Sequence, residues 1–462
     1  MRHSRPRAFV VCDLGFGDAG KGLVTDALVR RSGARLVVRY NGGAQAGHNV
    51  VTPEGHHHTF AQLGAGSFTP GVRTFLSRHV VAHPTGLLHE ARRFDGVHGG
   101  QVLSRVGISR GARVITPFHQ ALNRLRERSR GEGRHGSCGI GVGETVHDGL
   151  LHPEAMLTAG VLADGVQARA LLTATRDRLR DEAQRLAEAC GAQGLEAARF
   201  AAAELSLFSH PGVIDRWMSQ VQPLVEAGCV VDDEVLGQWA EGAPVVFEGA
   251  QGVLLDESIG FHPHTTWTDC TPRQAMALIE THLPAHAPVR IGVLRSHGVR
   301  HGNGPFPTEA DLGVRVPDHN GENPWQGPVR YGWFDAVLAR YALDRCGGVD
   351  LLALTHLDLI ARRGGIHAAR AYTSAPGHAR DFLARWLPGA EGVRLVAEGA
   401  GALPAQEALG AWLQRGVVPK LVDLAKAADF IAWVEQELGV RVGMTSAGPT
   451  VNDVSWSPDL AD

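Results

Sequence analysis

The chain has no excess of charge of either sign, no paired cysteines and no long apolar run. Each absence removes a class of protein. Lys+Arg number 45 and Asp+Glu 48 in 462 residues, a net charge of −3. A dedicated nucleic-acid binder carries a strongly basic domain or stripe, so that class is excluded. The six cysteines (Cys12, Cys138, Cys190, Cys229, Cys270 and Cys346) contain no C-x-x-C pair. This excludes a zinc ribbon or a thioredoxin-like motif and fits a reduced, cytosolic set of thiols. The basic start is followed by an apolar run, Ala8–Cys12, that stops at Asp13, too soon for the core of a secretion signal. No segment approaches the ~20 apolar residues of a membrane span. The expectation is a soluble, cytoplasmic protein with neither nucleic acid nor membrane as partner.

Glycine is the residue in surplus, at 58 of 462, against about 7% in ordinary proteins. With 44% hydrophobic residues and no every-third-residue repeat, the chain is neither disordered nor collagen-like. Ordered glycine in a globular chain serves tight turns and backbone brought close to a ligand.

Ala8–Leu14 reads as a buried strand, Lys21–Arg31 as a helix and Ala34–Tyr40 as the next strand. Strand, glycine turn, helix and strand open a βαβ unit, hence a parallel sheet. Pro244–Phe247, Val289–Leu294, Leu351–Leu354 and Val440–Met444 are further buried-strand candidates, each running into a polar or glycine-bearing segment. Ligands gather at such carboxyl ends. Residues 153–238 change to long amphipathic helices such as Val166–Cys190, after which strand signals resume. The expected organisation is one α/β domain over 1–462, with a large, mostly parallel central sheet, a P-loop-like glycine turn after its first strand and a helical insertion at 153–238. Leu421–Leu438 reads as a helix, with Leu421, Leu424, Ala425, Ala428 and Ile431 on one face. His56-His57-His58 reads as a solvated loop, since three consecutive side chains point in different directions.

Four glycine segments carry the chemistry. Residues 15–22, Gly-Phe-Gly-Asp-Ala-Gly-Lys-Gly, follow the G-x-x-x-x-G-K skeleton of a phosphate-cradling loop. Gly22 stands where Ser or Thr would hold magnesium, and Asp18 is the replacement candidate. Converging backbone amides, a helix N-terminus and Lys21 suit an anion. Residues 41–49 follow the next strand and bring His48, which beside a phosphate loop is placed to touch a transferring phosphoryl group. The other two segments are 247–252 and 136–143. Thr355-His356-Leu357-Asp358 resembles the T-K-x-D that reads guanine, whose N1–H and 2-amino group an Asp can accept.

Together these segments resemble the adenylosuccinate synthetase family along most of the chain. The family's GDEGKGK appears as Gly17–Leu23, its GGxNAGH as Gly42–His48, and its FEGAQGxLLD intact at Phe247–Asp256. GPFPTE is intact at Gly304–Glu309, GWxD recurs at Gly332–Asp335, and STGP appears as Ser446-Ala447-Gly448-Pro449. The resemblance implies a GTP-hydrolysing ligase that phosphorylates the 6-oxo group of inosine monophosphate and then joins L-aspartate, giving adenylosuccinate. It implies Asp18 as base and Mg²⁺ ligand, His48 as acid or charge stabiliser, and Gln251 as support for the developing oxyanion. Gly17, Gly20, Lys21, Gly22, His48 and Asn49 are implied around the GTP phosphates, with His356, Asp358, Ser446 and Gly448 about its base. Gln45, Ser137, Cys138 and Thr266 are implied at the acceptor nucleotide, and the Gly47 carbonyl at Mg²⁺. A homodimer is implied too, with His152 falling where an arginine normally reaches across.

The sequence departs from the family pattern at chosen places. Ala19 replaces a Glu, Gln45 an Asn, and Ser137–Gly141 has lost an arginine. Before Gly332 the family's several arginines, which clamp the amino-acid carboxylates, shrink to Arg330 in a segment reading Asn-Pro-Trp-Gln-Gly-Pro-Val-Arg over 323–330. A dicarboxylate needs paired, directional cations. Trp325, Gln326 and Arg330 are therefore candidates for an altered amino-acid site. The alternative expectation is a specialised paralogue acting on another purine-like nucleotide, such as a deoxyguanosine or nucleoside-antibiotic phosphate, or taking another amine donor.

Overall fold

The structure is a computed structural model that describes residues 5–316, 325–375, 377, 382–387, 390–393 and 402–460. Its strands used below are β1 (Arg7–Asp13), β2 (Leu36–Arg39), β3 (His48–Val51), β4 (His57–Phe60), β5 (Arg73–Leu76), β6 (Val106–Ser109), β7 (Val230–Val231), β8 (Val245–Glu248), β9 (Ala287–Arg295), β10 (Gly298–His301), β11 (Val329–Gly332), β12 (Leu351–Thr355), β13 (Val442–Ser446) and β14 (Val454–Trp456). Ten of them form one sheet in the order β14-β13-β12-β9-β1-β8-β2-β5-β6-β7. Every pairing is parallel except β13 with β14. β1 lies at its centre, with Val10 beside Phe247 on one side and Arg290 on the other. Its Ala8–Cys12 stretch is buried on both faces, which explains a continuous apolar run in place of alternation.

Parallel strands put all their carboxyl ends along one edge. Six neighbours end there in a buried polar residue: Ser446, Thr355, Arg295, Asp13, Glu248 and Arg39, in sheet order. A charge at the end of an apolar strand is tolerated only when partnered. These six partner the loops that build the site.

The helices used below are α1 (Lys21–Ser32), α2 (Pro117–Ser129), α3 (Val142–Leu151), α4 (Gly165–Gly191), α5 (Leu195–Ser209), α6 (Val213–Glu226) and α7 (Ala336–Arg345). α4 starts where Asp164 accepts the amides of Val166 and Gln167 at 3.0 Å, the usual remedy for unpaired first-turn donors. Its Leu172, Ala183 and Cys190 join Leu125 of α2, Phe208 of α5 and Leu224 of α6 in one core.

Two expectations are corrected. Leu421–Leu438 is not one helix: Val417–Leu424 is a strand antiparallel to Ile366–Ser374, and the helix runs only over Ala427–Leu438. Leu421 is 43% exposed, while Phe430, Val434 and Glu437 are the buried helical residues. Cross-strand pairing of a β-branched segment overrides an apolar spacing that happens to fit a helix. The histidine triplet is not a solvated loop either. His57 and His58 belong to β4, and the His58 ring is buried against Phe60 and Phe94.

Candidate active site

Asp13, the last residue of β1, builds the phosphate loop from inside. Its Oδ1 accepts the Gly15 amide at 2.8 Å, and its Oδ2 accepts the Ala19 amide at 2.9 Å and Lys21 Nζ at 2.8 Å. The chain has lysine only at 21, 420 and 426. A compact ammonium fits this buried pair where a planar guanidinium would not. Gly20, at φ 95°, turns the chain into α1 without a side-chain cap, so the first-turn amides are not taken by a cap. Gly22 has a packing reason for being glycine. A Cβ there would stand 2.7 Å from the Asn49 carbonyl oxygen and 3.2 Å from His48 Cβ.

The segment after β2 thus lies across the start of α1, and the β3–β4 hairpin stiffens it. Asn49 Oδ1 accepts Thr59 Oγ1 at 2.7 Å and lies 2.9 Å from His57 Nε2. His48 Nδ1 lies 2.6 Å from Glu248 Oε1, both side chains buried. Glu248 Oε2 accepts the Ala65 amide at 3.0 Å and is 3.9 Å from Arg39 Nε. Burial opposes the charge on Glu248, but His48 and Arg39 outweigh it and hold the carboxyl below its usual range. An ionised Glu248 fixes the proton on Nδ1 and leaves Nε2 for a ligand.

The 249–252 turn closes the other side. A Cβ on Gly252 would meet the Gly15 carbonyl oxygen at 2.2 Å, and one on Gly42 the Ala250 Cβ at 2.4 Å. Asn41 ties the segments, accepting the Ala250 amide at 2.7 Å and donating to the Asp269 carbonyl at 2.7 Å. Gln251 Oε1 and Gln45 Oε1 are buried with no hydrogen-bond partner, flanking Gly42 and Gly43 at 2.8 Å from where each Cβ would be. Four non-glycine residues have positive φ among the described residues, and three are Asp18, Gln251 and His356. Such strain persists where the surroundings over-determine it, and it clusters at functional sites.

Asp18 is held from β9 and β10: Arg295 Nε donates to its carbonyl, and His301 Nε2 lies 2.8 Å from its Oδ2. Burial opposes its charge, while His301, Arg295 and Lys21 overcome this and keep the carboxyl below its usual range. On the far side, Thr355 Oγ1 donates to the Ala19 carbonyl at 2.7 Å, and the Leu357 amide to the Ser446 carbonyl at 3.0 Å. These bonds bring 355–358 and 446–448 to the loop. Asp358 Oδ2 pairs with Arg362 at 2.9 Å, and Ser446 Oγ donates to the Gly448 carbonyl at 2.7 Å. Burial, with Arg295, His297 and Arg362 nearby, keeps His356 neutral.

The 136–143 segment meets 41–49 where Gly43 faces Val142. Ser137 Oγ accepts Asn123 Nδ2 at 2.9 Å, and burial pushes the Cys138 thiol up to about 11. Thr266 follows the 249–256 stretch, its amide bound to the Leu255 carbonyl at 2.8 Å. Trp325 does not stand apart as a clamp. Its ring covers Gly139 and meets Phe200 at 5.6 Å, with Arg124 5.9 Å from the ring. Gln326 puts its carbonyl against Gly302. Arg330 spends its donors within the chain, on the Gly302 carbonyl at 2.9 Å, the Gly304 carbonyl at 2.8 Å and Glu309 Oε2 at 2.7 Å. Residues 323 and 324 of this segment lie outside the described residues.

Asp13, Glu248, Arg295 and His301 were not singled out in the sequence. Asp13 and Glu248 did carry a signal, a charge closing an apolar strand. His301 carried none.

A model of the adenylosuccinate synthetase family matches residues 10–455. The chain belongs to that family. Among curated relatives, the adenylosuccinate synthetase of Mycobacterium leprae is 31% identical over 457 residues, covering 96% of each chain. That of Saccharopolyspora erythraea is 33% identical over 377 residues, 79% of this chain and 81% of the relative. Two solved structures share the fold at 18% identity. The fully ligated adenylosuccinate synthetase of Plasmodium falciparum has a TM-score of 0.73, covering 97% of this chain and 99% of the other. The succinoaminodeoxyadenylate synthetase of cyanophage S-2L, bound to dGMP and dATP as an energy donor, has a TM-score of 0.58, covering 99% and 97%. Membership of this family makes the chain a ligase that forms a C–N bond. Among the described residues no helix is long and apolar enough to cross a membrane.

Proposed function

We propose that this member of the adenylosuccinate synthetase family uses GTP to phosphorylate the 6-oxo group of inosine monophosphate or a close analogue, and then displaces that phosphate with the amine of L-aspartate. The observation that carries it is the convergence of Asp18, His48–Glu248 and the carboxamides of Gln45 and Gln251, whose Oε1 atoms are buried without a hydrogen-bond partner, around one glycine-lined crevice. An amide-like oxygen leaves poorly until phosphorylated. Asp18 accepts the N1 proton as the oxygen attacks the γ-phosphorus; His48, once it carries a second proton on Nε2 opposite Glu248, and the Gln251 amide N–H donate to the negative charge as it develops. Gly17, Gly20, Lys21 and Gly22 face the phosphates, with Asn49 beside them. His356, Asp358, Ser446 and Gly448 take the guanine. Ser137, Cys138 and Thr266 complete the acceptor site. The Asp18 carboxylate, through the side of Oδ2 that His301 leaves open, and the Gly47 carbonyl are hard oxygen donors and would hold Mg²⁺. Bound there, the ion neutralises charge on the phosphates. The chain works as one α/β unit with 153–238 inserted, in the cytoplasm and as a homodimer.

A second reading is favoured by the 325–330 segment. With Trp325 packed on Gly139 and Arg330 committed to Glu309 and two carbonyls, no paired cation is on offer there for a second carboxylate. This supports a specialised paralogue with another amine donor or another purine nucleotide. The cyanophage relative with its dGMP makes the latter concrete. Mass spectrometry of products from a mixed pool of purine nucleotides and amino acids tests both. Adenylosuccinate from inosine monophosphate and aspartate supports the first. A different adduct supports the second, and no nucleotide adduct at all contradicts both.

A further inference from the structure

Asp18 is fastened by a part of the chain that the phosphate loop's own sequence does not announce. His301 closes β10, opposite Val329 in β11, and its Nε2 lies 2.8 Å from Asp18 Oδ2. Arg295, at the end of β9, takes the Asp18 carbonyl. The residue is therefore held by side chain and main chain at once from a single strand–turn–strand unit. That unit is itself fixed to the loop. The Arg300 guanidinium stands 4.0 Å from the centre of the Phe16 ring and donates to the carbonyls of Asn303, Pro305 and His264. Arg330 on β11 binds the carbonyls of Gly302 and Gly304, just past His301.

We propose that His301 is a positioning residue for the phosphorylation step, an inference that rests on Asp18 acting as the base. The Asp18 side chain is 25% exposed and sits on left-handed backbone at φ 59°. Without a directional donor its carboxylate is free to turn toward water. The His301 N–H occupies Oδ2 and turns Oδ1 to the proton it must accept. The role needs an N–H donor on a rigid strand and does not depend on the charge of the imidazole. Glutamine, whose Nε2 reaches a similar distance, is therefore expected to substitute for it, and valine, a good strand former without a donor, is not.

The test is positional isotope exchange in GTP carrying oxygen-18 at the β,γ-bridge, with Mg²⁺ and each of inosine monophosphate, GMP and dGMP, and no amine. It is paired with kcat and KM where a turnover assay exists. His301→Val is expected to slow exchange about 10- to 100-fold, the usual cost of losing a supporting hydrogen bond. KM for triphosphate should stay within about two-fold. His301→Gln should recover to within about three-fold of wild type. Unchanged exchange in His301→Val overturns the inference, as does an equal loss in both variants accompanied by raised KM and lowered melting temperature. Absence of exchange in wild type with every acceptor overturns the phosphorylation reading itself, and the role of His301 with it.

Discussion

His48 and Glu248 are 200 residues apart in the chain and 2.6 Å apart in the fold. The carboxylate decides which imidazole nitrogen faces the ligand. His48→Ala is expected to lower kcat about 10²- to 10⁴-fold. Glu248→Gln, which keeps the shape but not the charge, should lower it about 10- to 100-fold with KM for the nucleotides little changed. The double variant should be no worse than His48→Ala, because the two act as a unit. Steady-state phosphate release checks all three.

Gly22→Ser restores the hydroxyl that a phosphate loop ordinarily carries at this position, and it is expected to inactivate. The new Cβ would stand 2.7 Å from the Asn49 carbonyl oxygen and 3.2 Å from His48 Cβ, so the hairpin must move and take His48 with it. A loss of kcat of about 10²-fold, larger than any fall in melting temperature explains, is the expected result. Gly22→Ala should behave alike, which shows that the obstacle is the Cβ and not the hydroxyl.

Lys21→Ala leaves Asp13 buried with its ammonium gone, although the amides of Gly15 and Ala19 remain. Removing one partner of a buried pair costs about 3–5 kcal/mol. Denaturant unfolding should show a loss toward the lower end of that range, with a raised KM for the triphosphate. Lys21→Arg should fail to rescue either quantity.

Asp335 accepts the amides of Val337 and Leu338 at the start of α7 and the Tyr372 hydroxyl. Burial is the main reason its pKa rises from 3.8 to about 6. A carboxyl raised on folding keeps its proton more tightly in the native state. Its contribution is fully present below pH 3.8 and is lost as pH rises through about 6. Asp335→Asn removes that titration and still caps the helix. Its stability relative to wild type should therefore climb by up to about 2 kcal/mol from about pH 4 to about pH 7. A pH-independent difference contradicts this.

What the sequence made legible was local. The turn at 15–22 and the strand before it follow from glycine chemistry within one short stretch, and the ends of β1, β8, β9, β12 and β13 lie within a few residues of where apolar runs stop. What it hid was distant or two-sided. Glu248 looks like part of a motif until its contact with His48 gives it a task. Leu421 fits a helical face as well as a strand, and only its pairing with Ala369 chooses. His58 reads as polar until Phe60 and Phe94 enclose it. Trp325 reads as a ligand-facing replacement for lost arginines, yet its ring lies on Gly139 and against Phe200 of α5.

The most direct measurement follows one oxygen atom. Inosine monophosphate carrying oxygen-18 at the base oxo position is incubated with the enzyme, GTP, Mg²⁺ and a pool of amino acids, and the released phosphate is weighed by mass spectrometry. Phosphorylation of the base predicts oxygen-18 in inorganic phosphate, in step with the formation of an aminated nucleotide. Aminated nucleotide accompanied by unlabelled phosphate would contradict it.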